Sequence, residues 1–383
     1  MKPKKLKLMV VTPYFWPKIG GLENYAYNIA KGLKKDYGYE VVVVTSNHEN
    51  PKEYKEEILD GMKIYRLPRQ FKISNTPISF KWKKQITEII EKEQPDIING
   101  HSPVPFISDI ACRIAYKKKI PFVLTYHAVT LYKKNNPLAN ILIFLQELFF
   151  AKKTLKISSK IIAVSDFVKI QFSKIIQDKT EVIYNGISKE DIKPRLNNFK
   201  KNNIIFLSSL DKTHSWKGLE KIIIAVRYYI DNFDKDIQLN IIGDGNYYSY
   251  YENLVNKLKI QKNVKFYGAK FGKEKQRILS ESKILITYPT TSNDAFPTVF
   301  LEAWANNLPI ISSRIGAIPY IIKDKQDGIL VGPNDSKKLS QAIHDLINDK
   351  YLIKKLIKNG RTKVKCFTWD KISNKINKIF RSL

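Results

Sequence analysis

The order of strand and helix signals along the chain predicts an α/β protein built from two doubly wound domains in series. Short runs rich in β-branched residues alternate with helix-length amphipathic stretches, a pattern typical of a parallel sheet covered by helices on both faces. The alternation stops near the middle of the chain and then starts again. With 383 residues, 43% of them hydrophobic, the chain is long enough to bury two cores.

The first domain is predicted over residues 1–187 and the second over residues 200–368. The strands expected in the first are 6–11, 40–46, 63–67, 96–99, 122–126, 161–164 and 181–184. Those expected in the second are 203–210, 238–242, 264–267, 283–287, 309–312 and 328–331. The stretch between them is polar, charged and interrupted by Pro194, so it is expected to be the interdomain linker. A cleft between two such domains is the natural ligand site.

Composition limits the partners and the compartment. The formal net charge of +30 is spread along the chain, which indicates an anionic partner. Cys112 and Cys366 lie far apart and have no CxxC or Cys/His neighbours, so disulfide and zinc frameworks are not expected and a reducing cytoplasm fits. No apolar stretch approaches the ~20 residues that span a bilayer. The basic start of the chain leads into a first strand.

The most informative motif is a pair of acids, Asp294 and Glu302, that bracket seven residues including Pro297. Proline suits the first turn of a helix, which would place Asp294 in the preceding loop and Glu302 inside the helix. The free amides of residues 298–300 at such a helix start favour phosphate, while the two carboxylates suit hydroxyl groups. Together they describe a nucleotide sugar. The same sequence would also be found if Asp294 were an ordinary acid before a helix and Glu302 a solvated glutamate.

Glycine-containing loops follow the first strand of each predicted domain. Gly20 and Gly21 stand ahead of a helix expected to begin near residue 24 or 25, where a ligand could approach the backbone without meeting a Cβ atom. In the second domain Lys217 precedes Gly218 at the opening of a helix and could reach a diphosphate as a point charge. The sequence Gly-Asp-Gly at 243–245 is too short for a dinucleotide fingerprint and indicates a tight turn.

Taken in order, these motifs resemble family 4 of the retaining glycosyltransferases. The resemblance also includes Thr-Tyr-His at 125–127 and Ile-Tyr-Asn-Gly at 183–186, and it extends from Val10 to the Phe-Thr-Trp at 367–369. It implies the GT-B fold, in which two Rossmann-like domains face an interdomain cleft. It also implies that the last helix, here within 369–383, crosses back to the first domain.

The family's roles are carried over to the matching residues of this chain. The resemblance implies that Asp294 binds the transferred sugar, that His127 lies near the hydroxyls of that sugar, and that Glu302 binds the ribose hydroxyls. Gly20 and Gly21 would close over the donor from the other domain, and the base would lie near Phe266. The donor diphosphate would be held by Lys217 and by the segment Phe296, Pro297, Thr298 and Val299.

The chain departs from the family pattern at three positions. The first acid is usually glutamate, so Asp294 is one methylene shorter and leaves the donor sugar open. Ser209 replaces a cation that usually faces the diphosphate, and Lys212 and His214 are the candidates to substitute for it. Tyr320 stands where glutamate is usual, a change without an interpretation. A further candidate site residue, His101, ends a strand that faces the predicted cleft.

The resemblance implies front-face substitution, in which the leaving diphosphate helps to deprotonate the acceptor hydroxyl, so neither a metal nor another cofactor is expected. Asp-Lys-Asp at 234–236 matches a D-x-D metal motif but precedes a strand instead of following one. Two rivals share the fold: an inverting GT-B transferase and a nucleotide-sugar epimerase. A non-catalytic sugar-binding or basic nucleic-acid-binding protein is more remote, because no nucleic-acid-binding motif is present.

Two basic and aromatic stretches of the first domain predict peripheral attachment to an anionic membrane, at its cytoplasmic face. Residues 71–84 interleave Phe71, Phe80 and Trp82 with lysines and contain no acid. Residues 139–160 set apolar side chains near lysines, namely Ile141, Phe144, Leu145, Leu148 and Phe149 near Lys152, Lys153 and Lys156. Such surfaces favour an anionic interface, and the acceptor is then expected to be a glycan or a lipid-linked molecule. A core helix with solvated lysines would give the same pattern.

Overall fold

The structure, a computed structural model, describes residues 5–18, 20–73, 76–127, 151–192 and 202–383. Two compact units are present, and each is described by itself. Unit 1 consists of Met1–Gly186 together with Trp369–Leu383, and unit 2 consists of Ile187–Thr368. Most of the predicted linker, including Pro194, lies outside the described residues.

Unit 1 contains an eight-stranded sheet with the strand order β10-β9-β8-β7-β1-β2-β4-β3. Its strands are β1 (Lys7–Thr12), β2 (Glu40–Ser46), β3 (Lys55–Leu59), β4 (Met62–Leu67), β7 (Ile97–Ser102), β8 (Phe122–Tyr126), β9 (Lys160–Ala163) and β10 (Thr180–Val182). The parallel sheet is confirmed, apart from the edge strand β3, which pairs with β4 in the antiparallel direction. The sequence prediction missed β3 because three of its five residues are charged and it buries none of its side chains fully. A separate hairpin joins β5 (Phe71–Ile73) to β6 (Thr76–Ile78).

Seven helices of unit 1 are described. They are α1 (Gly21–Tyr37), α2 (Trp82–Glu93), α3 (Ile107–Lys117), α4 (Lys152–Ile157), α5 (Asp166–Lys169), α6 (Lys174–Asp178) and, at the end of the chain, α14 (Trp369–Arg381). Helix α14 packs closely on α1, since a Cβ atom at Gly32 would lie 3.2 Å from the Cβ of Ser373. The ring of Trp369 packs edge-on against Tyr25 of α1 at 5.8 Å between centroids. The last helix therefore belongs to the core of unit 1.

A buried carboxylate ties the amino ends of two strands of unit 1 to α2. Glu93 accepts hydrogen bonds from Lys63 Nζ at 2.8 Å, from Lys7 Nζ at 3.2 Å and from the hydroxyl of Tyr65. Burial alone would raise the pKa of this carboxyl, but the three donors outweigh it and bring the pKa to about 2. This cluster lies at the amino ends of β1 and β4, so we assign it to stability.

Unit 2 contains a six-stranded sheet with the order β13-β12-β11-β14-β15-β16, in which all pairs are parallel. Its strands are β11 (Asn202–Leu207), β12 (Ile237–Ile242), β13 (Val264–Phe266), β14 (Ile284–Thr287), β15 (Ile310–Ser313) and β16 (Ile329–Val331). The chain order reverses between β11 and β14. Ligands of open α/β sheets bind at the carboxyl ends of the strands beside such a reversal. In unit 1 the corresponding reversal lies between β1 and β7.

The helices of unit 2 are α7 (Leu219–Asn232), α8 (Tyr248–Lys257), α9 (Gly272–Ser280), α10 (Val299–Ala305), α11 (Ile318–Ile321), α12 (Ser336–Asn348) and α13 (Lys350–Val364). Helices α7 and α12 pack together over one face through buried residues such as Ile222, Val226 and Ile343. Among the described residues of both units, no helix combines the length and apolar content needed to cross a membrane.

Candidate functional site

In unit 2 the loop after β11 packs against the loop after β14 and is hydrogen-bonded to it. A 3-10 turn, Lys212–Lys217, leads to Gly218, whose φ of 82° is left-handed. A Cβ atom at Gly218 would lie 2.7 Å from the carbonyl carbon of Tyr288 and would overlap its oxygen, so only glycine fits. The Tyr288 amide donates to the Lys217 carbonyl at 3.3 Å, and the Thr290 amide donates to the Trp216 carbonyl at 2.8 Å. The backbone at Lys217 is therefore held in a fixed position.

This contact between the two loops brings Lys217 and Asp294 together. Both are predicted site residues, and they stand 77 positions apart in the sequence. The Lys217 ammonium donates to the Asp294 carboxylate, and the two side chains are only 21% and 12% exposed. Lys217 Nζ also lies 4.5 Å from the ring centroid of Trp216. The cation expected to meet the diphosphate and the acid expected to meet the sugar thus form one ion pair at the carboxyl edge of the sheet.

The two candidates for the missing cation differ in position. His214 is half-buried beside this ion pair, and burial together with the charge of Lys217 lowers its pKa, while Asp211 and then Asp294 act in the opposite sense. Lys212 is exposed, and its Nζ lies 6.0 Å from the ring centroid of Tyr247. The structure therefore brings His214, and not Lys212, to the Lys217–Asp294 pair.

The segment between the two acids folds nearly as expected, with one correction. Helix α10 begins at Val299 with Thr298 as its N-cap, so Asp294 lies in the preceding loop and Glu302 lies within the helix. Pro297 precedes the helix instead of occupying its first turn. The amide of Phe300 donates to the Pro297 carbonyl at 3.1 Å, so the expectation that this amide is free was wrong. The reason is that the helix opens with a tight 3-10 turn, which uses this donor.

Glu302 has a cationic partner that the sequence did not indicate. Lys275 Nζ, from α9, lies 2.8 Å from Glu302 Oε2. The approach is not along a hydrogen-bond direction, and this buried oxygen has no hydrogen-bond partner in the described part of the chain. No motif links Lys275 to Glu302, because the two residues lie on different helices and meet only in the folded unit.

Three other predicted features of unit 2 have definite positions. Phe266 is half-buried at the end of β13, with its ring 5.0 Å from that of Tyr248. The D-x-D sequence forms a turn before β12, in which the Asp236 amide donates to Asp234 Oδ1 at 2.9 Å. This turn lies at the amino ends of the strands, opposite the Lys217 edge. Within the described residues no group of three or more His, Cys, Asp or Glu side chains could hold a metal ion.

In unit 1 the two glycines form the start of α1, earlier than predicted. Gly20 is the N-cap and Gly21 the first helical residue. A Cβ atom at Gly20 would meet the carboxylate of Glu23, with 3.0 Å to its carboxyl carbon, whereas no atom of the described residues lies within 4 Å of a Cβ at Gly21. Glu23 is buried, which raises the pKa of its carboxyl, and Lys18 Nζ lies 4.0 Å from it. Gly20 therefore makes room for Glu23, and Gly21 leaves open backbone.

Polar side chains of β7 and β8 contact each other in the otherwise apolar centre of the unit 1 sheet. Parallel register sets Asn99 and His101 of β7 opposite Val123 and Thr125 of β8, and His127 follows two residues later on the side of Thr125. Asn99 Nδ2 donates to Thr125 Oγ1 at 3.0 Å. At the carboxyl edge His101 Nδ1 lies 3.0 Å from His127 Nε2. The two predicted histidines are thus in direct contact.

The environment keeps both imidazoles neutral. His101 is fully buried and His127 is half-buried. The ring of Tyr25 from α1 packs edge-on against His127 at 4.9 Å between centroids. Burial lowers the pKa of His101 to about 3, and burial together with His101 holds the pKa of His127 well below its ordinary value. The sequence signal for this pair was the alternation of polar residues at 99 and 101 and at 125 and 127.

The predicted interfacial stretch 71–84 divides into a surface part and a core part. Phe71, Ile73 and Phe80 are 42%, 52% and 78% exposed, and the Phe71 and Phe80 rings pack edge-on at 5.6 Å. Trp82 was wrongly assigned to the surface, because it is fully buried as part of α2 and donates to the Pro68 carbonyl at 2.8 Å. The exposed lysines around the phenylalanines are Lys72, Lys81, Lys83 and Lys84.

The second predicted stretch is only partly described. Ile141, Phe144, Leu145, Leu148 and Phe149 lie outside the described residues. Lys152, Lys153 and Lys156 are exposed on α4. We name the β5–β6 hairpin, together with Phe80 and its surrounding lysines, the hairpin surface. It is the part of the predicted membrane-binding stretches in which the structure describes both aromatic side chains and lysines.

Comparisons with known proteins agree with this fold and show the family. The family described as "Glycosyltransferase Family 4" matches residues 19–191, and that described as "Glycosyl transferases group 1" matches residues 188–363. An uncharacterized glycosyltransferase of Methanocaldococcus jannaschii is 29% identical, with 99% of each chain covered. A phosphatidylinositol N-acetylglucosaminyltransferase subunit of Saccharomyces cerevisiae is 24% identical over 89% of this chain and 75% of its own. The Anabaena protein HepE, solved with UDP-glucose, is 17% identical and superposes with a TM-score of 0.75 over 99% of this chain and 100% of its own.

Proposed function

The chain belongs to the family 4 glycosyltransferases, and from this premise we propose that it transfers a hexose, with retention of anomeric configuration, from a nucleotide diphosphate sugar to a hydroxyl group of a glycan or lipid-linked acceptor. The observation that carries the proposal is the ion pair of Lys217 and Asp294 at the strand-order reversal of unit 2. A relative of the same fold, HepE, has been solved with UDP-glucose, which supports a nucleotide sugar as donor.

The ion pair gives each of its members a role. A diphosphate competes with Asp294 for the Lys217 ammonium, because phosphate oxygens form strong charge-assisted hydrogen bonds with lysine. As the bond to the sugar breaks, negative charge builds on the diphosphate, and a fixed cation then stabilises the transition state more than the ground state. Asp294, released from Lys217, is an acceptor for the hydroxyls of the sugar. His214 adds a second polar group beside the same position.

Glu302 is proposed to bind the ribose hydroxyls. Its buried Oε2 has no hydrogen-bond partner among the described residues, and an ionised carboxylate can only accept hydrogen bonds. Hydroxyl groups are donors that satisfy such an oxygen without adding charge. Lys275 provides the countercharge at 2.8 Å and makes the acid less costly to keep at a half-buried position.

Retention is proposed to proceed by front-face substitution without a metal. The bond between the anomeric carbon and the diphosphate oxygen breaks, the acceptor oxygen bonds to the same face of that carbon, and the acceptor proton passes to the departing diphosphate. A covalent route would instead need a carboxylate beneath the anomeric carbon. Asp294, the acid closest to Lys217, is already assigned to the sugar hydroxyls. The positive charge that the reaction requires comes from Lys217.

The test is a panel of nucleotide sugars assayed for donor hydrolysis and transfer, with and without EDTA. Lys217→Ala is expected to lower kcat by about 10²- to 10³-fold. The matched control is Lys235→Ala, an exposed lysine in the turn before β12, which is expected to retain wild-type activity. Loss of activity with EDTA would contradict the metal-free route. Proton NMR of the product separates the rivals, since an inverted anomer indicates an inverting transferase and a changed sugar without transfer indicates an epimerase.

We also propose that unit 1 attaches to an anionic membrane through the hairpin surface. Phe71 and Phe80 form an exposed aromatic pair next to Ile73, and aromatic side chains favour the membrane interface. Each lysine close to an anionic leaflet contributes about 1 kcal/mol. The yeast relative is named for a phosphatidylinositol acceptor, which supports a lipid-linked acceptor for this chain.

Vesicle flotation tests the attachment. Recovery with anionic vesicles is expected to exceed recovery with neutral ones, and Phe80→Ser is expected to reduce it. Ile175→Ser is the matched control, because Ile175 on α6 is 80% exposed and Phe80 is 78% exposed. Equal recovery with the two kinds of vesicle, or equal losses in the two variants, would rule out attachment through this surface.

A further inference from the structure

The contact between His101 and His127 has two possible proton arrangements. A neutral imidazole carries one N–H donor and one bare nitrogen that accepts. Since His101 Nδ1 lies 3.0 Å from His127 Nε2, one of these two nitrogens donates and the other accepts. If His127 donates, then His101 must carry its own proton on Nε2. If His101 donates from Nδ1, its Nε2 is bare and His127 carries its proton on Nδ1.

The surroundings of His101 decide between the two proton arrangements. His101 Nε2 is buried and has no hydrogen-bond partner among the described residues. A buried N–H group without an acceptor costs about 1–3 kcal/mol and is rarer in proteins than an unsatisfied acceptor. The arrangement with a bare Nε2 leaves an unsatisfied acceptor instead of an unsatisfied N–H, which is the less unfavourable of the two. His101 therefore holds its proton on Nδ1, directed at His127.

We propose that His101 is a positioning residue that fixes His127 in the tautomer protonated at Nδ1, so that His127 serves the substrate as a hydrogen-bond donor and not as a general base. The identity of the recipient rests on the proposed function: it is an oxygen atom of a substrate of the transferase. The accepting nitrogen of His127 is occupied by His101, and only its N–H remains for a ligand. This role fits a reaction in which the leaving diphosphate takes up the acceptor proton.

Two further features of the structure support the assignment. The edge-on contact of Tyr25 at 4.9 Å restrains the plane of the His127 ring, so the direction of the Nδ1–H bond is fixed as well as its position. Burial also disfavours the imidazolium form of both rings, so a shared charge does not replace the neutral hydrogen bond. Behind the histidines, Asn99 donates to Thr125, so a second polar contact joins the same two strands.

The tautomer is measured directly by NMR on the full chain labelled with [15N]histidine. The chain contains only five histidines, and His48, His214 and His344 are assigned by single replacement with glutamine. Long-range proton–nitrogen correlations at neutral pH are expected to show Nδ1 protonated and Nε2 bare in His127, with Nδ1 protonated in His101 as well. A His127 protonated at Nε2, or an imidazolium, would overturn the proposal.

A pair of variants separates positioning from mere packing. His101→Asn keeps an N–H donor close to the place of Nδ1, whereas His101→Leu removes the donor and keeps a buried side chain. His101→Leu is expected to lower kcat on the order of tenfold with little change in the donor KM and to give His127 a mixture of tautomers. His101→Asn is expected to restore most of kcat and the single tautomer. Equal losses in the two variants, or a Leu variant with wild-type kcat, would contradict the proposal.

The two hypotheses fail separately. If no nucleotide sugar is hydrolysed or transferred, the proposed function fails, while the nitrogen spectra still decide how His127 is protonated. If transfer occurs and His127 is protonated at Nε2, the function stands and the role given to His101 falls.

Discussion

Gly218 forms the turn between Lys217 and α7, and its replacement by alanine measures how firmly that turn is held. Two costs add. A φ of 82° is left-handed, which costs an alanine about 1–2 kcal/mol. The new Cβ would also lie 2.7 Å from the carbonyl carbon of Tyr288, a backbone atom that cannot rotate away, and such overpacking costs about 1–3 kcal/mol. Gly218→Ala is therefore expected to lower the free energy of unfolding of unit 2 by about 2–5 kcal/mol.

A control isolates the collision from the backbone strain. Gly272 in the same unit has a φ of 52°, and in the described part of the chain no atom lies within 4 Å of a Cβ placed there. Gly272→Ala therefore carries only the first cost. Hydrogen exchange of unit 2 peptides under increasing urea gives the local free energy of unfolding for both variants. The difference between them is expected to be about 1–3 kcal/mol, the part due to the contact with Tyr288.

The Gly218→Ala substitution also tests the position of Lys217 in the candidate site. Relief of the collision pushes the 212–218 loop away from the loop after β14 and so separates Lys217 from the position where it meets Asp294. Gly218→Ala is then expected to lower kcat as well as stability, whereas Gly272→Ala retains kcat. Identical unfolding free energies in the two variants would refute the argument that the loop is fixed by this contact. A destabilised Gly218→Ala variant with full activity would refute the link to Lys217.

Three further predictions concern single groups. Glu302→Gln is expected mainly to raise the donor KM and Asp294→Asn mainly to lower kcat; indistinguishable kinetic profiles would refute this division. Gly20→Ala is expected to lower the melting temperature because its Cβ displaces the buried carboxylate of Glu23, whereas Gly21→Ala is expected to leave the melting temperature unchanged. The pKa of Glu93 is about 2 in the fold against an ordinary 4.5, so its stabilisation is complete above pH 4.5 and is lost as the pH falls toward 2. Glu93→Gln is expected to remove about 2 kcal/mol of unfolding free energy at neutral pH and to flatten the acid limb of a denaturation curve, and an unchanged acid limb would contradict this assignment.

The fold was readable from the sequence because parallel strands buried on both faces leave a strong signal. Runs such as Val41–Val44 within β2 are continuous and apolar, and the helices between strands have regular amphipathic spacing. Each predicted strand is present, with ends that differ by a few residues. The strands that were missed, β3, β5 and β6, are short, contain charged residues or proline, and lie outside the parallel core. Trp82 was wrongly placed on the surface because the sequence pattern of an aromatic residue among lysines does not distinguish an exposed position from the buried start of a helix.

Residue types at the site were also readable, but their partners were not. Asp294 and Glu302 were expected to flank a helix start, and they do. Neither Lys217 as the partner of Asp294 nor Lys275 as the partner of Glu302 follows from any spacing. These contacts depend on how loops and helices far apart in sequence pack against each other, and no local pattern specifies that packing.

The shortened acid at position 294 becomes understandable from these contacts. The loop that carries Asp294 is tied to the loop of Lys217 by backbone hydrogen bonds at Tyr288 and Thr290. With the two backbones fixed this closely, an aspartate is long enough to reach the ammonium of Lys217, and the missing methylene does not leave the cation unpaired. The glutamate usual in the family would place its carboxylate farther along the same direction. On the proposed function, the aspartate is then expected to alter the room left for the sugar more than the contact of Lys217 with the diphosphate, and donor selectivity is the property that Asp294→Glu is expected to change.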